Sequence, residues 1–320
     1  MKLNLSLLVL IVIAFAASLL AGRVWLPPSA LLSPPDTLAA LILYDIRLPR
    51  SVLALITGSV LGLAGAVLQG FTRNPLAEPA LLGVSSGAAL GAIVAIYFGL
   101  AALSPVTGPM MGITGALGAC ALTFALGRNG TVALVLAGAA VSSLTAAGIA
   151  LALNFAPNPY AAYEIMSWLL GSLADKSWTQ VFLVLPFVIV GGALLAMTGR
   201  ALDALSLGEA QAQSLGINIA RLSAMVVAGT ALSVGAITSV TGAIGFIGLV
   251  APHLVRPFVG YAPRRVLVPA TLVGALLLLC ADIAARLVHT NPELRLGVFT
   301  SLLGTPFFFW LVMRIRKVAP

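Results

Sequence analysis

Ionisable residues are scarce in this sequence. Asp, Glu, Lys and Arg make up 8% of its 320 residues, whereas hydrophobic residues make up 60%. A soluble domain has about 25% charged residues, so this composition excludes an ordinary soluble fold. The chain instead holds many runs of about 20 apolar residues, the length that crosses a bilayer as a helix, and it lacks the short alternating segments of a membrane β-barrel. We therefore predict an all-α polytopic membrane protein, with residues 1–320 forming a single transmembrane domain.

Cysteine and histidine are also rare. Cys120 and Cys280 both fall inside predicted spans and are expected to be small buried apolar residues rather than a redox pair. His253 and His289 have no partner at metal-ligand spacing, so no metal site is predicted. The net charge of +8 is spread between the spans, which membrane topology explains better than nucleic-acid binding.

Acidic residues are missing from the interior of the predicted spans. All nine lie in loops or near helix ends, and Asp282 is the deepest: Asp36, Asp45, Glu78, Glu164, Asp175, Asp203, Glu209, Asp282 and Glu293. Proton- and ion-coupled transporters usually place ionisable residues within the membrane, and an intramembrane protease needs a zinc motif or a carboxylate pair. The sequence has neither of these, and it has no phosphate-binding loop. Any uphill transport would therefore take its energy from another chain.

The apolar runs predict ten spans: 3–22, 51–71, 80–103, 108–127, 131–153, 180–199, 222–240, 242–256, 266–286 and 297–313. The first run could be a signal peptide, but its length and the many later spans favour a retained helix. Residues 222–255 hold no Lys, Arg, Asp or Glu over 34 residues. That stretch is too long for one span and too short for two full ones, so we predict a break at its Gly-rich centre, VTGAIGFIG.

Basic residues predict the orientation of the chain. An even number of spans puts both termini on one side, and the C-terminal MRIRKVAP makes that side cytoplasmic. Eleven basic residues then lie inside: Lys2, Arg73, Arg128, Arg200, Arg221, Arg256, Arg264, Arg265, Arg314, Arg316 and Lys317. Six lie outside: Arg23, Arg47, Arg50, Lys176, Arg286 and Arg295.

One polar stretch, LDALSLGEAQAQSLGIN, interrupts the apolar chain at residues 202–218. Gly208 is predicted to begin a short helix, Glu209 suits the positive end of its dipole, and Gly216 is a natural stop. Helices this short are unstable alone in water. The stretch is either a surface elbow packed on its own bundle or a docking element for a cytoplasmic ATPase, in which Leu207, Ala210 and Leu215 would supply the apolar contact.

Five motifs occur in an order that is highly specific: IRLPRSVLALITGSVLGLAGAVLQG, TRNPLAEPALLGVSSGAALGA, LSLGEAQAQSLGI, GAIGFIGLVAPHLVRP and LGVFTSLLGTPFFFWL. Over essentially its whole length the chain resembles the FecCD family of ABC-importer permeases, which carry cobalamin, ferric siderophores or haem. The resemblance implies a type II ABC importer permease of ten spans in a bacterial plasma (inner) membrane. It implies no catalysis and no cofactor in this chain, since ATP and magnesium would bind the partner ATPase.

The resemblance also implies partners. These are a second permease copy in a homodimer or pseudo-dimer, two ATP-binding subunits, and a periplasmic or extracellular substrate-binding protein. The family's ATPase-coupling region maps onto residues 202–217. Its members here would be Asp203, Leu207, Gly208, Glu209, Ala210, Leu215 and Gly216.

Family docking arginines map onto three positions, Arg47, Arg50 and Arg286, which the topology places at the outer surface; ordinary interfacial anchoring is the alternative. The resemblance places a cytoplasmic gate residue at Thr131, although the family's neighbouring serine is Val132 here. Another departure is Arg295, where the family usually has proline; it would add to the docking surface or only reshape the outer loop.

The function expected from the resemblance is the membrane subunit of an ATP-driven importer for an iron siderophore or related metal chelate. Haem and cobalamin remain alternatives for the substrate. A membrane receptor or channel without ATPase coupling is the remote alternative.

Overall fold

The computed structural model describes residues 2–34, 36–128, 130–288, 290 and 293–318. These residues form an all-α bundle, with no strand among them. Its helices are α1 Lys2–Leu20, α2 Leu38–Leu41, α3 Leu48–Thr72, α4 Val84–Tyr97, α5 Thr107–Leu126, α6 Thr131–Asn154, α7 Pro159–Leu169, α8 Trp178–Ala196, α9 Gly199–Leu205, α10 Glu209–Ser214, α11 Ile219–Thr241, α12 Ile247–Val259, α13 Pro263–Leu287 and α14 Leu296–Val318.

Seven helical stretches of the described chain are long and apolar enough to cross a membrane: Lys2–Leu20, Leu38–Thr72, Thr107–Leu126, Thr131–Asn154, Trp178–Leu205, Ile219–Thr241 and Pro263–Leu287. Three shorter apolar helices occupy the third, eighth and tenth predicted positions: Val84–Tyr97, Ile247–Val259 and Leu296–Phe309. The all-α membrane fold is confirmed, whereas the number of complete crossings stays a prediction.

The centre of the bundle is a close packing of α3 against α13. A Cβ added at Gly58 would lie 2.3 Å from the carbonyl oxygen of Gly274, and one at Gly62 would lie 2.2 Å from that of Ala270. Small residues thus let two helix backbones touch, which is how helices associate where lipid removes the hydrophobic driving force. Further along α3, Gly65 meets the backbone of Gly248 in the same way.

The predicted break lies between α11 and α12 and is confirmed. The chain turns at Gly242, whose φ is 71°, and at Phe246, whose φ of 68° is unusual for a residue with a side chain. The Phe246 ring covers Gly304 of α14 so closely that a Cβ there would lie 2.3 Å from it. The carbonyl of Thr241 accepts a 2.7 Å hydrogen bond from the backbone N–H of Ser172. Protein therefore covers the irregular backbone, as the absence of water in a bilayer requires.

Helix α7 was not predicted. It has 11 residues, too few for a transmembrane span. The sequence at its start nevertheless carries a helix N-cap signal. Asn158 caps the helix by accepting a 2.8 Å hydrogen bond from the N–H of Ala161, and Pro159 occupies the first turn. Tyr160 and Tyr163 on this helix are exposed.

The two ends of the bundle have different compositions. Arg286 lies in the last turn of α13, whereas the first turn of α13 carries Arg264, whose N–H donates to Asp203 at 2.9 Å. A helix of 25 residues separates them by roughly 35 Å. We call the two ends the arginine end, with Arg47, Arg50, Arg286 and Arg295, and the connector end, with the connector segment Asp203–Gly216.

The two cysteines differ from the expectation in one respect. Cys120 is buried, but Cys280 is exposed in this chain, and both are free thiols. The prediction that both are buried is therefore wrong for Cys280, because its face of α13 has no covering helix among the described residues.

Candidate functional site

The connector segment has the predicted local structure. Helix α10 begins after Gly208, whose φ of 112° suits glycine, and ends before Gly216, whose φ is 84°. Glu209 occupies the first turn, where a carboxylate favours the helix dipole. The predicted start and stop are confirmed.

The segment packs inward on some residues and presents others outward. Leu202 and Leu205 of α9 and Ala212 of α10 are fully buried against the bundle. Leu207 and Leu215 are 63% and 62% exposed. The elbow interpretation thus explains how the segment is held in place, and the outward leucines form an apolar surface that this chain does not cover. Ala210 is exposed beside them.

One hydrogen bond connects the segment to a membrane helix. The hydroxyl of Thr131 donates to Oε1 of Glu209 at 2.7 Å. Thr131 is the first residue of α6 and is buried, while Val132 beside it is 74% exposed. The predicted gate residue therefore contacts the predicted coupling residue directly. This contact joins positions 78 residues apart, so no local sequence signal shows it.

At the arginine end, Arg47 binds backbone carbonyl groups at and just after the C-terminus of α1. Its guanidinium donates to the carbonyl oxygens of Leu19, Leu20 and Val24 at 3.0, 2.7 and 2.5 Å. The last carbonyls of a helix lack partners within the helix, and Arg47 satisfies them. Its exposed fraction is only 7%, so the expectation that it lies at the surface is wrong.

Arg286 approaches the same helix end from α13. It donates to the carbonyl oxygens of Ser18 and Ala21 at 2.9 and 3.1 Å, and to the hydroxyl of Ser18. It also pairs with Asp282 at 2.7 Å. Arg286 is 5% exposed, so the surface expectation is wrong here too. The docking role assigned to these arginines stays a prediction.

Arg50 is the most accessible of the three, with 11% of its side chain exposed. It donates to Asp282 at 2.8 Å and also pairs with Glu293. Asp282 is fully buried and shared with Arg286, whereas the side chain of Glu293 is 28% exposed. A buried carboxylate between two guanidinium groups has the paired environment that a buried charge needs.

A cavity of about 680 Å³ lies beside the first turns of α14. It was not predicted, because its walls come from three distant parts of the chain. Its lining is Leu169, Leu170, Ala243, Gly245, Gly297, Val298, Ser301, Leu302, Thr305 and Pro306. Arg295, just before α14, donates to the hydroxyl of Ser167 at 2.5 Å.

No group of three or more His, Cys, Asp or Glu side chains that could hold a metal ion occurs among the described residues. His253 bonds to the backbone instead, with Nδ1 2.9 Å from the carbonyl oxygen of Leu249. His289 lies outside the described residues.

Curated relatives match almost the whole chain. The vitamin B12 import system permease protein BtuC of Klebsiella pneumoniae is 37% identical over 317 residues, covering 97% of this chain and 93% of the relative. The hemin transport system permease protein HmuU of Yersinia pestis is 39% identical over 286 residues, covering 86% and 84%. The BtuC protein of Escherichia coli O9:H4 is 38% identical over 316 residues, covering 98% and 95%.

Solved structures agree with these relatives. An inward-facing conformation of a metal-chelate type ABC transporter superposes with a TM-score of 0.89 at 32% identity, covering 98% of this chain and 99% of that one. PsaBC from Streptococcus pneumoniae, at 16% identity and a TM-score of 0.52, shares the fold alone. The model of the FecCD transport family matches residues 10–314. The chain therefore belongs to the FecCD transport family.

Proposed function

We propose that this chain is the membrane-spanning permease subunit of an ATP-driven importer for a metal chelate. The observation that carries the proposal is the connector segment, which is packed on the bundle through buried residues yet presents Leu207 and Leu215 to the outside of the chain. These exposed apolar side chains in an otherwise polar segment support a contact with another protein. In a family of transport permeases, an ATPase is the partner that such a surface fits.

The remaining parts of the proposal follow from this orientation. The connector end and both termini face the cytoplasm, and the arginine end faces the binding protein. A second copy of the chain completes the path, and ATP and magnesium bind the ATPase rather than this chain. The substrate is an iron siderophore or a related chelate, with haem and cobalamin as the alternatives that the relatives' names suggest.

The proposal is tested by reconstitution. The chain is placed in proteoliposomes with its ATPase and its binding protein, and uptake of radiolabelled ferric siderophore, haem and cobalamin is measured. We expect accumulation of one chelate only with ATP, and none with an ATPase that binds but does not hydrolyse ATP. Uptake that is independent of ATP would instead favour a channel.

A further inference from the structure

A pocket at the connector end of the bundle brings two arginines together. It has a volume of about 290 Å³, and its polar lining comes from Gln69, Arg73, Ser206, Arg256 and Tyr261. No acidic side chain lies among the described residues that line it. We propose that this pocket binds a phosphate anion, carried by a lipid headgroup or free in solution. Such a site goes beyond the proposed transport of a chelate.

Arg256 is held at the pocket by the buried amide of Gln69. Gln69 is 3% exposed, and its Oε1 accepts a 2.7 Å hydrogen bond from Nη2 of Arg256. Its Nε2 donates to the carbonyl oxygens of Gly248 and Leu249 at 3.4 and 3.3 Å. Because a carbonyl only accepts and a guanidinium only donates, these partners fix the orientation of the amide. A residue of α3 thus positions the guanidinium of a residue of α12.

The side-chain partners of Arg256 are neutral. Besides Gln69, its Nη1 lies 3.5 Å from Nε2 of His253. The other nitrogen of that ring, Nδ1, bonds to a backbone carbonyl, so the neutral ring accepts through Nε2. Among the described residues, no carboxylate lies within ion-pair distance of Arg256 or of Arg73. The pocket therefore carries two positive charges without a counter-charge.

Arg73 lies just after the last residue of α3, where the backbone is left-handed. Its φ is 51°, a conformation that glycine or asparagine usually supplies at a helix end. An arginine at this position therefore has a backbone cost. Arg73 is exposed, whereas Arg256 is partly buried, and both line the pocket. An anion from outside could thus reach Arg73 first and then Arg256.

The pocket lies level with the ends of three membrane helices. Gln69 precedes the last residue of α3 by three residues, Arg256 precedes the last residue of α12 by three, and Pro263 begins α13. At 1.5 Å per residue, these positions lie within roughly 5 Å of the helix ends. Basic pockets between membrane helices on the cytoplasmic side bind anionic headgroups. Tyr261 is 81% exposed and adds an aromatic ring of the kind enriched at membrane interfaces.

The size and charge of the pocket fit one phosphate group. A volume of about 290 Å³ is just below the range of about 300–1,000 Å³ for larger ligands, so the pocket suits a small anionic group rather than a whole chelate. Guanidinium groups form paired hydrogen bonds with phosphate oxygens, and the hydroxyl of Tyr261 can donate another.

The pocket is distinct from the outward leucines of the connector. Among its described lining residues, Ser206 alone belongs to the connector segment. The pocket is therefore part of the end of the bundle and not of the surface formed by Leu207 and Leu215. For this reason we favour a phosphate over an acidic side chain of the ATPase as the occupant.

The headgroup source is tested with the purified full-length chain in detergent. Native mass spectrometry measures the affinities of phosphatidylglycerol and phosphatidylcholine. We expect phosphatidylglycerol to bind, with an affinity about tenfold lower in Arg256→Gln and in Arg73→Gln, because each loses a charge-assisted hydrogen bond. Arg256→Lys should keep part of the affinity, since a point charge replaces a planar fork. Phosphatidylcholine should bind weakly, because the two arginines repel its ammonium group.

The free-phosphate source is tested by equilibrium dialysis of radiolabelled inorganic phosphate against the delipidated chain. Phosphate binding that falls in the same variants, with no preference for phosphatidylglycerol, would assign the pocket to free phosphate. A preference for phosphatidylglycerol without binding of free phosphate would assign it to a headgroup. Either result supports the proposal. The absence of both would overturn it, as would undiminished binding in both glutamine variants.

Arg221→Gln is the matched control. It removes an exposed arginine from the first turn of α11 that does not line the pocket, so lipid and phosphate binding should not change. An equal fall in this variant would indicate non-specific attraction and overturn the proposal. If Arg256→Gln proves unfolded by its thermal melting, Arg73→Gln decides, because Arg73 is exposed.

The ATPase supplies the last comparison. Weaker co-purification of the ATPase with Arg73→Gln, combined with unchanged lipid and phosphate binding, would assign this arginine to the partner protein and overturn the proposal. The binding measurements need neither ATP nor uptake, so their failure is distinguishable from failure of the importer function.

Discussion

Thr131 and Glu209 join the first turn of a membrane helix to the first turn of the connector helix through a hydrogen bond of 2.7 Å. The bond is part-buried and its acceptor is a carboxylate side chain. Hydrogen bonds to charged groups contribute about 1.5–3 kcal/mol. We therefore expect a movement of the connector segment to be transmitted to α6 through this bond.

Breaking this bond should uncouple ATP hydrolysis from transport. We expect Thr131→Val to retain ATPase assembly but to lower the amount of substrate moved per ATP several-fold, because α6 no longer follows the connector. Thr131→Ser keeps the hydroxyl and should behave as the unchanged chain. Glu209→Gln should lie between them, and a double-mutant cycle should show non-additive effects. Additive effects would mean that the bond carries no coupling.

A charged residue in place of Leu207 or Leu215 should weaken binding of the ATPase. Leu207→Asp or Leu215→Asp places a carboxylate in a contact expected to be apolar, while both positions are exposed in the free chain. We expect normal membrane insertion, weaker co-purification of the ATPase and loss of uptake. Leu205→Asp is the contrasting variant, since Leu205 is fully buried and its replacement should reduce the yield of folded protein. Unchanged co-purification in both exposed variants would remove the segment from the coupling role.

The orientation is tested by thiol accessibility in a background lacking Cys120 and Cys280; the exposed Cys280 makes this replacement necessary. We expect Asp36→Cys to react with an impermeant reagent in intact spheroplasts. Arg264→Cys should react only after the membrane is opened. Reaction in the opposite order would reverse the topology and the roles of both ends.

Arg50 should support the fold as well as docking, because it pairs with a fully buried carboxylate. Arg50→Glu would place a carboxylate beside the fully buried Asp282. Breaking a buried ion pair typically costs about 3–5 kcal/mol, so we expect loss of folded protein and not only of docking. Arg50→Lys should retain part of the stability, as measured by thermal unfolding in detergent. Equal melting temperatures for Arg50→Glu and the unchanged chain would contradict this.

Docking itself is better tested through Glu293, which is partly exposed and pairs with Arg50. Glu293→Gln should free the guanidinium for a carboxylate of the binding protein and increase the association rate at low salt. The increase should shrink at high salt because screening weakens exposed charges. An unchanged or slower association in Glu293→Gln would indicate that Arg50 is a structural anchor alone.

A matched pair of glycine variants tests the packing of α3 on α13, with Gly118 of α5 as the control position. Gly58→Ala introduces a methyl group 2.3 Å from the carbonyl oxygen of Gly274, whereas Gly118→Ala introduces one into open space. Both gain the same helix propensity, about 1 kcal/mol. Overpacking costs about 1–3 kcal/mol, so we expect Gly58→Ala to melt at a lower temperature than Gly118→Ala. Identical melting would mean that α3 and α13 separate without cost.

Local signals in the sequence were enough to predict several elements of the fold. Gly208 and Gly216 mark the ends of α10 because both adopt positive φ, and the Gly-rich centre of residues 222–255 marks the break. The all-α membrane fold followed from apolar runs. Helix α7 was missed because its 11 residues are too few for a span.

Long-range contacts explain what the sequence could not show. Arg47 and Arg286 read as surface arginines near helix ends, but the carbonyl groups they bind belong to the end of α1 and the residues just after it, up to 268 residues away. The buried Asp282 pairs with Arg286 four residues along α13, but also with Arg50, 232 residues distant. The cavity beside α14 requires three separate segments to meet, so its volume has no local signature.

The fit of Phe246 over Gly304 has an evolutionary consequence. The ring occupies the space that any side chain at position 304 would need, so Gly304 is not free to change while Phe246 stays in place. A larger residue at 304 should arise only together with a smaller one at 246. In an alignment of relatives, these two positions should therefore covary, although they lie 58 residues apart.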